Sequence, residues 1–178
     1  MSDYMKMINL RNKLDMDFYN ILGYDPEFSF YGSKQEGEYS FYIPIFKCKG
    51  DYRIELNFKI YYEDKMILLD EYNKYNSLDE ISDEKLEDLL TDMQNLANVR
   101  IDALYITPTG IGLGSKIVNA LVNRLKERDT LSSIYLYPAD NMAEKFWAKQ
   151  GFKHSREEID YKYYGWRVMN DWFYELNE

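Results

Sequence analysis

A chain of 178 residues, 46% hydrophobic and 17% aromatic, carries enough apolar material for one packed domain, which excludes a disordered or low-complexity protein. Its 22 basic and 31 acidic residues leave a net charge of −9, a balance that repels a nucleic-acid backbone. A single cysteine, Cys48, and a single histidine, His154, exclude an intrachain disulfide and a CxxC metal site, and no metal is expected.

Taken in chain order, Met5 to Leu22 reads as a helix, with Met5, Ile8, Leu14, Phe18, Ile21 and Leu22 on its apolar side and Gly23 as its stop. Tyr39, Phe41, Ile43 and Ile45 alternate as in a strand, and Pro44 suggests an edge or a bulge there. Gly50-Asp51 is a turn signal. Beyond it Ile54, Leu56, Phe58 and Ile60 alternate with Arg53, Glu55, Asn57 and Lys59, the cleanest strand pattern in the chain. Met66 to Leu69 reads as a short further strand.

Ser77-Leu78-Asp79-Glu80 forms a capping box and opens a helical region with Ile81, Leu86, Leu89, Leu90, Met93 and Leu96 on one side. This region is strongly acidic. A solvated helix face explains that charge, and attraction of a cationic amine is the functional alternative. A helix packed over the sheet is its plainest use, and an acceptor-site wall or a homodimer contact are others.

Tyr105 and Ile106 end a further apolar stretch, Leu104 to Ile106. Thr107-Pro108-Thr109-Gly110-Ile111-Gly112-Leu113-Gly114-Ser115 follows, and then a helix carrying Ile117, Val118, Leu121, Val122 and Leu125 at helical spacing. A glycine turn feeding a helix start offers backbone N–H groups and the positive end of the helix dipole, which suits a phosphate. A bare strand-to-helix turn is the alternative reading. The spacing G-x-G-x-G departs from the dinucleotide fingerprint, and the next strand, Ser133 to Tyr137, ends without an acid. The P-loop pattern is also absent. Further on, Asn141 opens a short helix as a capping residue with Glu144 at its third position, and Gly151-Phe152 closes it. Ile159 to Tyr164 and Val168 to Leu176 read as a last pair of strands around Gly165.

These two motifs together resemble the GNAT superfamily of acyl-CoA-dependent N-acyltransferases. Thr109-Gly110-Ile111-Gly112-Leu113-Gly114 matches that family's [Gln/Arg]-x-x-Gly-x-[Gly/Ala] cofactor turn, with Thr109 in the Gln/Arg place. Asn141, Ala143, Phe146, Trp147, Gly151 and Phe152 resemble its next signature, with Ala143 one place early. The resemblance covers roughly Val99 to Phe152. It implies an α/β fold, a mixed and mostly antiparallel central sheet flanked by helices on both faces, in a single domain over 1–178.

The resemblance also implies a function, an N-acetyltransferase that passes the acetyl group of acetyl-CoA to a primary amine of a small molecule or protein. The CoA pyrophosphate would lie on the amides from Gly110 to Ser115, with Thr109, Ile111, Leu113, Asn141, Phe146 and Trp147 around the cofactor. Its pantetheine arm would run along the strand through Leu104 and Ile106. Many members carry Tyr where Trp147 stands, and an indole is no useful acid at neutral pH. Acyl transfer needs the amine proton removed, the oxyanion stabilised and the thiolate protonated. Asp102 and Glu55 are the candidate bases, and Tyr137 is the candidate replacement acid. Ordinary solvent-facing strand residues is the plainer reading of the two carboxylates. A non-catalytic acyl-CoA-binding or regulatory module is the alternative function. No apolar run approaches the roughly 20 residues of a membrane span, and Met1-Ser2-Asp3 starts no signal peptide. The expected setting is therefore the cytoplasm, with no membrane or nucleic-acid partner.

Overall fold

The structure is a computed structural model and describes residues 3–33, 38–44, 53–62, 97–154 and 172–176. The elements run α1 (Asp3–Leu22), β1 (Ser29–Ser33), β2 (Glu38–Ile43), β3 (Arg53–Tyr62), β4 (Ala97–Thr107), α2 (Leu113–Lys126), β5 (Leu131–Leu136), α3 (Asn141–Lys149), β6 (Lys153–His154) and β7 (Trp172–Glu175). The strands form one 7-stranded sheet in the order β1-β2-β3-β4-β5-β7-β6. Every pairing is antiparallel except β4 with β5, which α2 connects as a parallel crossover. The mixed, mostly antiparallel α/β sheet expected from the resemblance is the one the chain forms.

The alternation in β3 sets the core. Ile54, Leu56, Phe58 and Ile60 are all buried, while Glu55, Asn57 and Lys59 stand half-buried on the other face. Phe41 and Phe58 are cross-strand partners and their rings stack at 4.7 Å, 2° from parallel. Phe28 stacks beside them, and Phe18 of α1 meets Phe28 edge-on at 5.2 Å. Such pairs contribute about 0.5–1.5 kcal/mol each beyond their area. They seat α1 on the β1–β3 half of the sheet.

The inward side of α1 is Met7, Leu10, Leu14 and Phe18. Leu14 and Phe18 were expected there, but Met5 is exposed and Ile8 only half-buried, because the buried stripe runs Met7, Leu10, Leu14 and Phe18, in steps of three, four and four. Gly23 closes the helix with a left-handed backbone, φ +73°, as its place predicts. β2 is not an edge, since it pairs with both β1 and β3, and Pro44 follows its last residue, where no ladder hydrogen bond is lost.

All five apolar residues expected on the inward side of α2 are buried. Arg124 of α2 clamps α1 through both oxygens of Asp17, at 2.6 and 2.9 Å. α3 joins the same side. Val99, Ile134 and Tyr174 are successive cross-strand neighbours, Phe152 rests on the Tyr174 ring, and Trp147 rests on Phe152. The described helices thus gather on one face, and only that half of the expected two-faced cover is seen among the described residues. The expected strand at Met66–Leu69, the acidic helix after Ser77, Cys48, the Gly50-Asp51 turn, Ile45 and the strand Ile159–Tyr164 lie outside the described residues. Of the last expected strand, Trp172–Glu175 forms β7.

Candidate active site

Two features of β4 shape the site. The first is a bulge. Asn57 stands opposite Ala103 and Phe58 opposite Ile101, so Asp102 is the extra residue in the ladder with β3. The second is a lost neighbour. β5 pairs with β4 only as far as Ile101 opposite Leu136, whereas β3 continues to pair with β4 up to Thr107. From Asp102 to Thr107, β4 therefore has a ladder on one side and none with β5 on the other. Among the described residues that edge is open, and it carries backbone N–H and C=O groups that an extended, amide-bearing ligand can use.

The open edge leads into the glycine turn. Gly110 and Gly112 have φ of +82° and +78°, a region that side chains rarely enter, and a Cβ at either would meet nothing within 4 Å. Gly112 is the N-cap of α2. No described side chain caps this helix, and no acidic residue lies in its first turn. The amides of Leu113, Gly114 and Ser115 precede the first helical hydrogen bond, from Lys116 N to Gly112 O. Gly114 serves a different purpose. A Cβ there would sit 3.2 Å from the Phe146 ring and 3.4 Å from Ile106 Cδ1, so this glycine lets β4, α2 and α3 converge.

The convergence brings together most of the residues expected around a cofactor. Leu104 and Ile106 are half-buried on the inward side of β4, opposite Leu56 and Ile54. Thr109, Gly110, Ile111 and Gly112 are exposed at the turn, Leu113 is buried, and Ser115 is half-buried. Phe146 reaches the turn from α3. Trp147 is only 6% exposed, with its ring edge-on to Phe146 and Phe152, both at 5.0 Å. It is a core residue that holds α3 to the sheet.

Asn141 is not the cap of α3. Asp140 is the N-cap, and its Oδ1 accepts from Met142 N at 2.9 Å and Ala143 N at 2.8 Å. Asn141 becomes the first helical residue and is exposed. Both Asp and Asn are strong caps, and a carboxylate also complements the helix dipole, so the neighbour one place earlier wins.

The candidate catalytic residues lie elsewhere. Glu55 stands opposite Tyr105, and Asp102 is the bulge residue about 10 Å further along β4. They occupy the face away from the described helices, and the fold does not bring them side by side. Tyr137 follows β5 directly and is 64% exposed.

That outward face carries ion pairs. Arg100 Nε donates to Asp102 Oδ1, and the guanidinium also lies 5.0 Å over the Tyr61 ring. Lys59 Nζ donates to Glu38 at 3.2 Å. Burial opposes the charge on Lys59, but the Glu38 hydrogen bond and the neighbouring carboxylates of Glu38 and Asp102 raise its pKa. Burial also pushes the Tyr61 phenol up against the pull of Arg100 and Lys59, so it stays neutral. Sequence reading passed over Arg100, although Arg100 and Asp102 two apart on a strand share a face. It also passed over Gln150, whose amide reaches Ser115 at 3.0 Å across 35 residues and leaves no local signal.

Comparison with known proteins bears on this geometry at one point. The family model for FR47-like proteins matches residues 81–160, which hold β4, the glycine turn, α2, β5, α3 and β6. That match supports the GNAT superfamily. It supports acyl-CoA-dependent acyl transfer in general and leaves the acceptor open. The chain is also similar to a solved structure of Arabidopsis thaliana Naa50 in complex with the bisubstrate analogue CoA-Ac-MVNAL. The TM-score is 0.33 and the identity 16%, over 65% of this chain and 95% of that one. No protein of curated function matches. No described helix is long and apolar enough to cross a membrane, and the described residues hold no cluster of potential metal ligands.

Proposed function

We propose that the chain is an N-acetyltransferase that carries the acetyl group of acetyl-CoA to a primary amine. The observation that carries this reading is the open edge of β4 from Asp102 to Thr107, ending at a glycine turn and a helix start that no side chain caps. A ligand with amides in its arm and a pyrophosphate at its end matches both halves of that arrangement. The pantetheine amides would take the place of the missing strand along Leu104 and Ile106. The pyrophosphate would lie on the amides from Gly110 to Ser115, where the helix dipole favours negative charge.

In that pose the thioester carbonyl sits beside the open backbone of β4. An N–H near Ile106 would hold the oxyanion formed when the amine attacks. The C–N bond forms first, the C–S bond breaks as the oxyanion collapses, the amine gives up a proton, and the departing thiolate takes one. Asp102 or Glu55, directly or through water, would accept the first. Tyr137 would supply the second, since Trp147 is buried against Phe152 and has no acidic proton to give.

Acetyl-CoA turnover across a panel of primary amines tests the reading. Free thiol released in step with acetylated amine is the expected result. Tyr137→Phe should then lower kcat by about 10²-fold or more if it is the acid, while Trp147→Phe should keep most of kcat. A second reading, a non-catalytic acyl-CoA-binding module, draws on that buried Trp147 and on the pairing of Asp102 with Arg100. CoA binding with no turnover by either the wild type or Trp147→Tyr would decide for it.

A further inference from the structure

Between α2 and α3, Gln150 Nε2 lies 3.0 Å from Ser115 Oγ and 3.5 Å from the Phe146 carbonyl oxygen. The carbonyl only accepts, which fixes the nitrogen of this amide, rather than its oxygen, on the side facing Ser115. Ser115 Oγ is therefore the acceptor in the pair. A hydroxyl has a single proton, and one that receives a bond from Gln150 must aim its own proton away from Gln150. Ser115 sits in the first turn of α2, beside the amides of Leu113 and Gly114 at the uncapped helix start. A phosphate there needs donors only.

We propose that Gln150 is a positioning residue that turns Ser115 into a dedicated hydrogen-bond donor for a ligand phosphate at the glycine turn. The inference rests on the pyrophosphate reading of that turn and adds to it a residue from another helix. Without Gln150 the Ser115 hydroxyl can rotate, and part of its population would point its lone pairs at the phosphate. The same amide bonds back to the Phe146 carbonyl in the last turn of α3, so the donor arrives on the element whose Phe146 ring already rests against Gly114. Gln150 acts through Ser115 and touches no reacting atom.

The test is a double-mutant cycle read as the calorimetric Kd for CoA, with Gln150→Leu, Ser115→Ala and the combination, each checked by its melting temperature. Gln150→Leu and Ser115→Ala should each weaken binding about three- to tenfold. The double variant should bind as Ser115→Ala does, because Gln150 has nothing left to orient. Ser115→Thr keeps the hydroxyl and should stay sensitive to Gln150→Leu. A purely structural role would multiply the two losses in the double variant, and that result overturns the proposal. Wild-type affinity in Gln150→Leu overturns it too, while leaving the CoA reading intact. No CoA binding by the wild type removes both.

Discussion

The two helix starts near the glycine turn are built in opposite ways. α3 is plugged, with the Asp140 carboxylate accepting from two of its first amides. α2 begins at a left-handed Gly112 with no side-chain cap and no acid in its first turn. A cap contributes about 1 kcal/mol, so leaving one out forgoes stability. The contrast lies between elements of similar surroundings that meet at Phe146 and Gly114. It shows that α2, unlike α3, keeps open amides at its start, placed where β4 has also lost its β5 neighbour.

Giving α2 the chemistry of α3 should have the largest effect. Gly112→Asp puts a carboxylate beside the amides and should lower CoA affinity more than tenfold, about 1.4 kcal/mol or greater. Gly112→Asn brings similar bulk and tolerates the left-handed backbone at φ +78° about as well. It should therefore lose clearly less. Equal losses in the two folded variants would mean that charge is not what matters at this turn.

Closing the gap between the two helices comes next. Gly114→Ala places a methyl 3.2 Å from the Phe146 ring and should destabilise the fold by about 1–2 kcal/mol in urea titration. Adding Phe146→Leu should recover part of that loss. If Gly114→Ala alone is neutral, the convergence of β4, α2 and α3 is looser than described.

Unplugging α3 is a smaller change. Asp140→Ala should cost about 1 kcal/mol and lower the melting temperature by about 2–4 °C. Asp140→Asn should keep most of that stability, since the amide oxygen still accepts. A CoA affinity that rose in Asp140→Ala would show the two helix starts competing for one ligand.

The far end of α2 should give the smallest signal. Hydrogen bonds from Lys13 and Arg124 hold the Glu127 carboxyl below its usual range. Its contribution is present above the ordinary glutamate value and is lost as pH falls through the lower folded value. The groups are exposed, so the loss should be under about 1 kcal/mol. Glu127→Gln should flatten the acid limb of the stability curve by that amount, and an unchanged limb would show that the pair contributes nothing.

Local patterns made much of this protein legible. The alternation from Ile54 to Ile60, the spacing from Ile117 to Leu125, the Gly23 stop and the glycine turn each depend on neighbours in sequence, whereas the sheet class was implied by the family resemblance of the two motifs. Where two neighbours had near-equal local claims, the pattern alone left the choice open. Asp140 and Asn141 are both good caps, and the amides of Met142 and Ala143 turn to the Asp140 carboxylate, which also complements the helix dipole. Met5 lost its place in the core because α1 is turned by the Phe18–Phe28 contact, a partner outside the helix.

The candidate site divides along the same line. Backbone donors at a glycine turn can be read from residue type, because glycine conformations and helix starts are local physics. The separation of β4 from β5 after Ile101, the bulge at Asp102, the packing use of Gly114 and the reach of Gln150 to Ser115 all join segments far apart in the chain. Such contacts are settled by which surfaces bury one another, and no pattern within a single segment encodes them.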